Sequence, residues 1–470
     1  MITQPTTKLF QPATAWLPIL VIAFFTAFCV LLGLGSVLRF GYPVGCFLVG
    51  IYLFSRHPIL YIGFTWWIWF LSPLVRRLLD YQAGWVDPSL ILVAPFLVAL
   101  VSLLTFVREL PKAIQGYGLP FVLCMAGIIY GFVVGLVRLP EPTSVVLALL
   151  NWMTPVIFGY YLFANWRRFP EIRQVTQRVF LWGSLVMGSY GVVQFLIAPV
   201  WDRFWLENVI SKSGNFAFGT PEPLQMRVFS TMHSHQPFAC VMVAGVLLLL
   251  SSQNPLKLMS SGAGYLALLL TLARAAWMSW IIGIVVFLPS LKPKFQMRLI
   301  VTLMSLLILI LPLTTIEPFS QVINSRVQSF FAGKQDGSYI DRSMGYTNLL
   351  NDAMTEFQGR GIGYVLRDPR LGSNDSGVLT LLLSLGWLGT IPYLGGLLLV
   401  IGSILRGQEA SFDPFASACR AIAIATFSQI SLNTAMLAAF GMILWSFIGL
   451  AMAARVYYLQ VGSGARDIRG

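Results

Sequence analysis

The residues in this chain that could do chemistry are concentrated in its second half. Arg227 stands in "EPLQMRVFSTMHSHQPFACVMVAG", with Ser230, Thr231, His233 and His235 close behind it. Arg274 interrupts the apolar run "SGAGYLALLLTLARAAWMSWIIGIVVFLPS". Arg326, Asp336, Ser338, Arg342 and Asp375 belong to the one long polar stretch, residues 315–375. An arginine stays charged at any relevant pH, and its planar fork matches two phosphate oxygens at once. Arg227, Arg274 and Arg342 therefore suit a diphosphate. Asp375 and His235 are side chains that could take a proton from an attacking hydroxyl.

The elements that must position these residues are membrane helices. Of the 470 residues, 57% are hydrophobic and only 10% charged, and the mean hydropathy is +0.76. A water-exposed surface needs more charge than this. Apolar runs of about 17–25 residues recur, the length that a bilayer demands of a helix. They lack the alternation of an outer-membrane barrel. The expected fold is all-α, a polytopic transmembrane bundle of about 12–14 spans, with one large extracytoplasmic loop. The net charge of +13 lies mostly between the apolar runs and reads as topogenic charge, so no nucleic-acid partner is expected. Cys29, Cys46, Cys124, Cys240 and Cys419 have no paired spacing, and three histidines are too few for a multi-histidine metal centre. No cofactor or metal is expected. The first apolar run has no A-x-A-like site after it and reads as the first helix.

Candidate crossings fall near 16–36, 41–55, 58–75, 88–106, 119–137, 144–164, 178–198, 237–251, 260–272, 275–289, 298–314, 377–404, 414–431 and 434–455. Basic loops belong on the cytoplasmic side. That assigns "NWRRFPEIRQVTQR", "SLKPKFQMR" and the tail with Arg455, Arg466 and Arg469 to the cytoplasm. The loops 199–236 and 315–375 then fall outside, and "GYTNLLNDAMTEF" in the second suits a helix lying over the membrane face. Parity demands an even number of crossings in the apolar run around Arg274, which is too short for two full spans. The economical solution is a pair of short helices broken near Ala273–Arg274 on the external side, since an arginine inside an apolar run needs a cavity or a partner.

Each of these residues also has a plainer role open to it. Arg227 could anchor a helix end at the headgroups, and Arg274 could snorkel from one continuous span. His233 and His235 could serve loop hydrogen bonding, and Asp375, in "SNDSG", could cap the next helix. Arg342 and Asp336 could form a solvated ion pair. Arg76 and Arg77 fall outside by the same count, as a lipid-diphosphate contact or as a sign of a miscounted crossing. Gly359, Gly361 and Gly363 read as turn glycines, because no strand–helix context surrounds them.

Three stretches carry a resemblance to a known family. "RVFSTMHSHQPFA", "LLLTLARAAWMSWIIG" and "FQGRGIGYVL…NDSGVLTLLLSLGWLGTIPYL" resemble, in order and spacing, motifs of the O-antigen ligase and Wzy-type O-antigen polymerase superfamily. The resemblance spans roughly residues 225–395; the first two hundred residues match only as a generic helical array. It implies N-terminal transmembrane helices over 1–200, a catalytic region over 201–400 and C-terminal helices with a cytoplasmic tail over 401–470. It also implies a multi-pass protein of the bacterial inner membrane, with its active site facing the periplasm. The implied donor is an undecaprenyl-diphosphate-linked oligosaccharide and the acceptor a sugar hydroxyl, without nucleotide sugar. Membrane lipids, a flippase and chain-length regulators are the implied partners. Arg227 and Arg274 would hold the diphosphate. The ligases of this family carry a histidine where this chain has Asp375, a departure that favours a polymerase of O-antigen or exopolysaccharide units. The alternatives are a ligase to lipid A core, or a polysaccharide or lipid transporter without catalysis. Replacing Asp375 with Asn is expected to block transfer while leaving expression intact. Full activity of that variant, assayed as surface polysaccharide, would reduce Asp375 to a helix cap.

Overall fold

The computed structural model describes residues 13–213, 218–290, 296–297, 300, 304, 337–366, 376–406 and 413–467. Among these residues the chain is helical and carries no strand beyond an isolated bridge between Gly219 and Met226. Nine of the described helices are long and apolar enough to cross a membrane, and four shorter apolar helices accompany them. Large side chains such as Phe24, Phe28, Leu31 and Phe40 stand exposed on the outside, a surface that suits lipid and not water. The protein is a helical membrane bundle.

Its elements are α1 (Ala13–Leu31), α2 (Gly35–Arg56), α3 (Pro58–Ala83), α4 (Ala94–Leu100), α5 (Leu103–Ile114), α6 (Leu119–Arg138), α7 (Pro142–Ala164) and α8 (Phe169–Ile197). There follow α9 (Val200–Ser213), α10 (His235–Leu250), α11 (Lys257–Leu270), α12 (Arg274–Phe287), α13 (Gly337–Thr355), α14 (Gly377–Arg406), α15 (Pro414–Phe427) and α16 (Ala438–Asp467). Each expected crossing meets one of these helices, or for 88–106 the run from Leu90 to Ile114, except the one near 298–314. That one lies outside the described residues apart from positions 300 and 304. Of the expected outer loop 315–375, only 337–366 are described. They hold α13, whose Leu349, Leu350 and Ala353 pack on Leu379, Leu382 and Leu383 of α14.

Two basic segments read as loop or tail are helical. Pro170 at the first turn and Glu171 beside it start α8 early, so Arg173 and Arg178 ride on the helix. Arg173 pairs at 3.0 Å with Asp413, whose carboxylate also caps α15 at Phe415 N–H and accepts from Tyr458 Oη at 2.9 Å. Arg455, on α16, donates to the Ser403 carbonyl at 3.2 Å. These contacts tie together the starts of α8 and α15 and the ends of α14 and α16. The opposite end collects the ends of α3, α8, α11 and α15 with the starts of α10, α12 and α14, and is called the polar end below.

Without a hydrophobic drive between helices in lipid, small residues let backbones meet. On α16, a Cβ at Gly449 would stand 2.1 Å from the Gly159 carbonyl of α7, so these two helices touch through their main chains.

Helices that break inside a bilayer release N–H and C=O groups that lipid cannot satisfy. The break expected at Ala273–Arg274 is present: α11 ends at Leu270, Leu272 takes φ +54°, and α12 starts at Arg274. Val228 N–H donates to the freed Leu270 carbonyl at 3.2 Å, and Trp277 Nε1 to that of Leu268 at 3.2 Å. A second break, not expected from the sequence, divides α14 at Gly386, with φ +59° and ψ −174°. The loop after α13 fills it. Arg360 N–H donates to Leu383 O at 2.7 Å, Gly361 N–H to Ser384 O at 2.9 Å, and Leu388 N–H to Phe357 O at 3.3 Å. Arg138, at the end of α6, holds the same loop through Gly359 O at 2.6 Å and Gln358 Oε1 at 2.6 Å. Gly359, Gly361 and Gly363 all take positive φ, so they are turn glycines of this inserted loop. A Cβ at Gly386 would lie 2.2 Å from Gly359 N, in a left-handed conformation as well. Gly386→Ala is therefore expected to cost at least about 2 kcal/mol, read as a lower melting temperature of the detergent-solubilised protein.

Candidate functional site

The polar end is built around a buried arginine. Arg77 lies in the last turns of α3 and is 1% exposed. Burying a guanidinium is costly unless every direction of its fork is met. Its Nε pairs with Asp202 Oδ1 at 3.0 Å, its Nη1 donates to Met232 O at 3.2 Å, and its Nη2 donates to Ser230 O. Asp202, in the first turn of α9, accepts at Oδ2 from Tyr190 Oη and Gln194 Nε2 of α8, both at 2.8 Å. Gln194 Oε1 in turn accepts from Phe229 N–H at 3.0 Å and Ser230 N–H at 2.7 Å. Arg77, Asp202, Gln194 and the 229–232 backbone thus close a ring. Within it Ser230 takes φ +50° and bonds Met187 O through its hydroxyl at 2.6 Å.

Arg76 has its own partners. It meets Asp80 and Asp87 at 3.1 Å each and lies 4.9 Å from the Trp85 ring. With side chains 3% and 2% exposed, Arg76 and Arg77 are both buried in the protein. They lie at the polar end, with their charge matched by carboxylates.

Three of the sequence-expected residues, Arg227, Arg274 and His235, flank the 229–232 loop or the helix break bonded to it. Arg227, half-buried, donates its N–H to Phe218 O at 2.8 Å and directly precedes Val228, which bonds the end of α11. Arg274, also half-buried, opens α12 four residues after that bond. His235 opens α10, buried, with its ring 5.5 Å from Phe218. On α12, Ser279 Oγ accepts from Gln429 Nε2 at 3.1 Å, and Gln429 Oε1 accepts from Asn433 Nδ2 at 3.1 Å. Between those two residues, the Ile430 carbonyl accepts from Gly377 N–H at 2.8 Å, at the start of α14. Backbone and side-chain bonds therefore run from the Arg227 loop through the α11–α12 break to the first residue of α14. Asp375, Arg326 and Asp336 lie outside the described residues, and of Arg342 and Ser338 only the helical backbone of α13 is described.

Two helix starts meet at this end. Unbonded N–H groups and the helix dipole make a helix start positive. α10 and α12 start at His235 and Arg274, and neither Ser234 nor Ala273 caps them with a side-chain bond. Two carbonyls at or just past helix ends here, Leu270 O and Ile430 O, are already taken by backbone donors. Thr231, 1% exposed, has a hydroxyl without a partner among the described residues.

No protein-family model and no curated protein matches this chain. The site must be read from its own residues. Sequence reasoning passed over Asp202 and Gln194. A signal existed for Gln194, one amide in the apolar "GVVQFLIAP"; Arg77 stood out beside Arg76, but its partners did not. Away from this end, an apolar groove lined by Leu123, Ile391, Pro392, Gly395, Leu398 and Leu399 opens beside α6 and α14. It suits acyl chains and offers no group for chemistry.

His233 has an exposed side chain that nonetheless stands in a crowd of protein atoms, with its ring 5.5 Å from Trp205. Desolvation, helped by Arg76 and Arg77, pushes its imidazole from 6.5 down to about 4. The unfolded chain then holds the proton that the folded protein refuses. The stability contributed is complete above about pH 6.5 and is lost as pH falls towards 4. Melting temperatures between pH 7 and pH 4 are expected to fall less steeply in His233→Gln than in the parent protein; equal slopes would contradict this (roughly the window set by the two values).

Proposed function

We propose that this protein is a membrane glycosyltransferase. It moves a glycan from an undecaprenyl-diphosphate donor to a sugar hydroxyl at the extracytoplasmic face of the bacterial inner membrane. By the family resemblance and the Asp375 departure, the reaction is the polymerisation of O-antigen or exopolysaccharide repeat units. The reading rests on one observation: the three resembling stretches, far apart in the chain, are tied together at one end of the bundle through Val228–Leu270, Gln429–Ser279 and Gly377–Ile430.

The chemistry follows from the charges gathered there. The acceptor oxygen attacks the anomeric carbon, the bond from that carbon to the diphosphate breaks, and the polyprenyl diphosphate leaves with the electron pair. Arg227, Arg274 and the N-terminal amides of α10 and α12 stabilise the charge that builds on the leaving phosphate. His235, at the mouth of α10, or Asp375 takes the acceptor's proton. Arg342, on α13, is a third candidate for the diphosphate.

The arginines are the direct test. Arg227→Lys and Arg274→Lys retain charge but lose the bidentate fork. Each is expected to lower chain extension by at least about tenfold, assayed with purified protein and a lipid-diphosphate oligosaccharide as donor and acceptor. A ladder of lengthened products supports a polymerase, and transfer only to added lipid core supports a ligase. Normal ladders from both lysine variants would remove the shared diphosphate site.

A further inference from the structure

The ring of Arg77, Asp202 and Gln194 reaches beyond holding helices together, because most of its bonds end on one short loop. Arg77 takes the carbonyls of Ser230 and Met232, and Gln194 takes the N–H groups of Phe229 and Ser230. Ser230, a non-glycine residue, is held at φ +50° by bonds to its N–H, its carbonyl and its hydroxyl. Conformations of this kind persist only where the surroundings over-determine them. On one side of this loop lie Arg227 and Val228, and Val228 is bonded to the break that presents Arg274. On the other side lie His233 and His235, at the start of α10.

We propose that Arg77, Asp202 and Gln194 are positioning residues. They lock the 229–232 loop so that Arg227, Arg274 and His235 face one substrate. This rests on the reading of the polar end as the transfer site, and adds the part of the molecule that sets its geometry. Arg77 is suited to the task because its fork donates to both Ser230 O and Met232 O while its Nε lies in ion-pair contact, 3.0 Å, with Asp202. An ammonium group is a point charge and cannot reproduce that fork. Arg76 supplies the internal contrast. It is equally buried and paired with two aspartates, yet its bonds go to Asp80, Val86 and Asp87 and not to the loop.

The test compares full-length Arg77→Lys, Gln194→Met and Arg76→Lys, each purified in detergent. Gln194→Met keeps side-chain length and removes the amide, which keeps the test open if Arg77→Lys does not fold. Hydrogen exchange at residues 229–232 is expected to run about tenfold faster in Arg77→Lys and Gln194→Met. Turnover per folded molecule on the lipid-diphosphate oligosaccharide is expected to fall about 10- to 100-fold in the same two variants. Arg76→Lys is expected to lower the melting temperature while leaving loop exchange and turnover near those of the parent. Unchanged exchange in the first two variants overturns the proposal, as does an Arg76→Lys protein that matches them. Faster exchange with undiminished turnover also overturns it, because the ring would then be structural only. If the parent protein itself transfers no glycan, the functional reading fails and the positioning role falls with it. Loop exchange would then still report whether the ring locks the loop.

Discussion

A backbone group that leaves a helix inside the hydrocarbon layer can bond only to the protein, and an unmet one costs several kcal/mol. This chain breaks helices at 271–273 and at Gly386. Each break is filled by a loop from elsewhere: residue 228 meets the first, and residues 357–361 meet the second. The loops of the polar end are therefore structural partners of the helices, held in register by main-chain bonds. The placement of Arg227 beside the start of α12 follows from that requirement, since Val228 is the residue that satisfies the end of α11.

The arginines of this end divide by how deeply they are buried. Arg76 and Arg77 are sealed in with Asp80, Asp87 and Asp202, whose charges offset part of the cost of desolvation. Arg227 and Arg274 are only half-buried and stand next to helix starts, which add positive potential. A carboxylate-matched buried pair stiffens a scaffold, and the helix starts add positive potential beside the other two. The two pairs lie close in the fold, so the rigid one can set the geometry of the other.

Much of this was legible in the sequence. Apolar run lengths located the helices, because a bilayer fixes the length of a crossing. Parity and basic loops located the break at Ala273–Arg274, because charge asymmetry orients spans. The start of α8 was misjudged, since Arg173 and Arg178 looked like loop charge; Asp413 shows why at least Arg173 can sit on a helix. The break at Gly386 was hidden because its flanks, "LLLSLGWLGTIPYL", are apolar throughout, and only the partner loop reveals it. Asp202 was hidden for a different reason. Its role depends on α9 folding back over α3 and α8, a long-range placement that no local pattern encodes.

The two ends of the bundle bear on what kind of protein this is. At one end, Arg173, Asp413, Tyr458, Arg455 and Ser403 tie α8, α14, α15 and α16 together by direct side-chain bonds. At the other, Arg77, Asp202 and Gln194 tie α3, α8 and α9 to the 229–232 loop. Alternating access would require both ends to open in turn, with broken helices in matching halves of the chain and a site near the midplane. Here the described breaks at 271–273 and Gly386 both fall in the second half, and the first lies beside the arginines at the polar end. These two breaks are therefore not in matching halves of the chain.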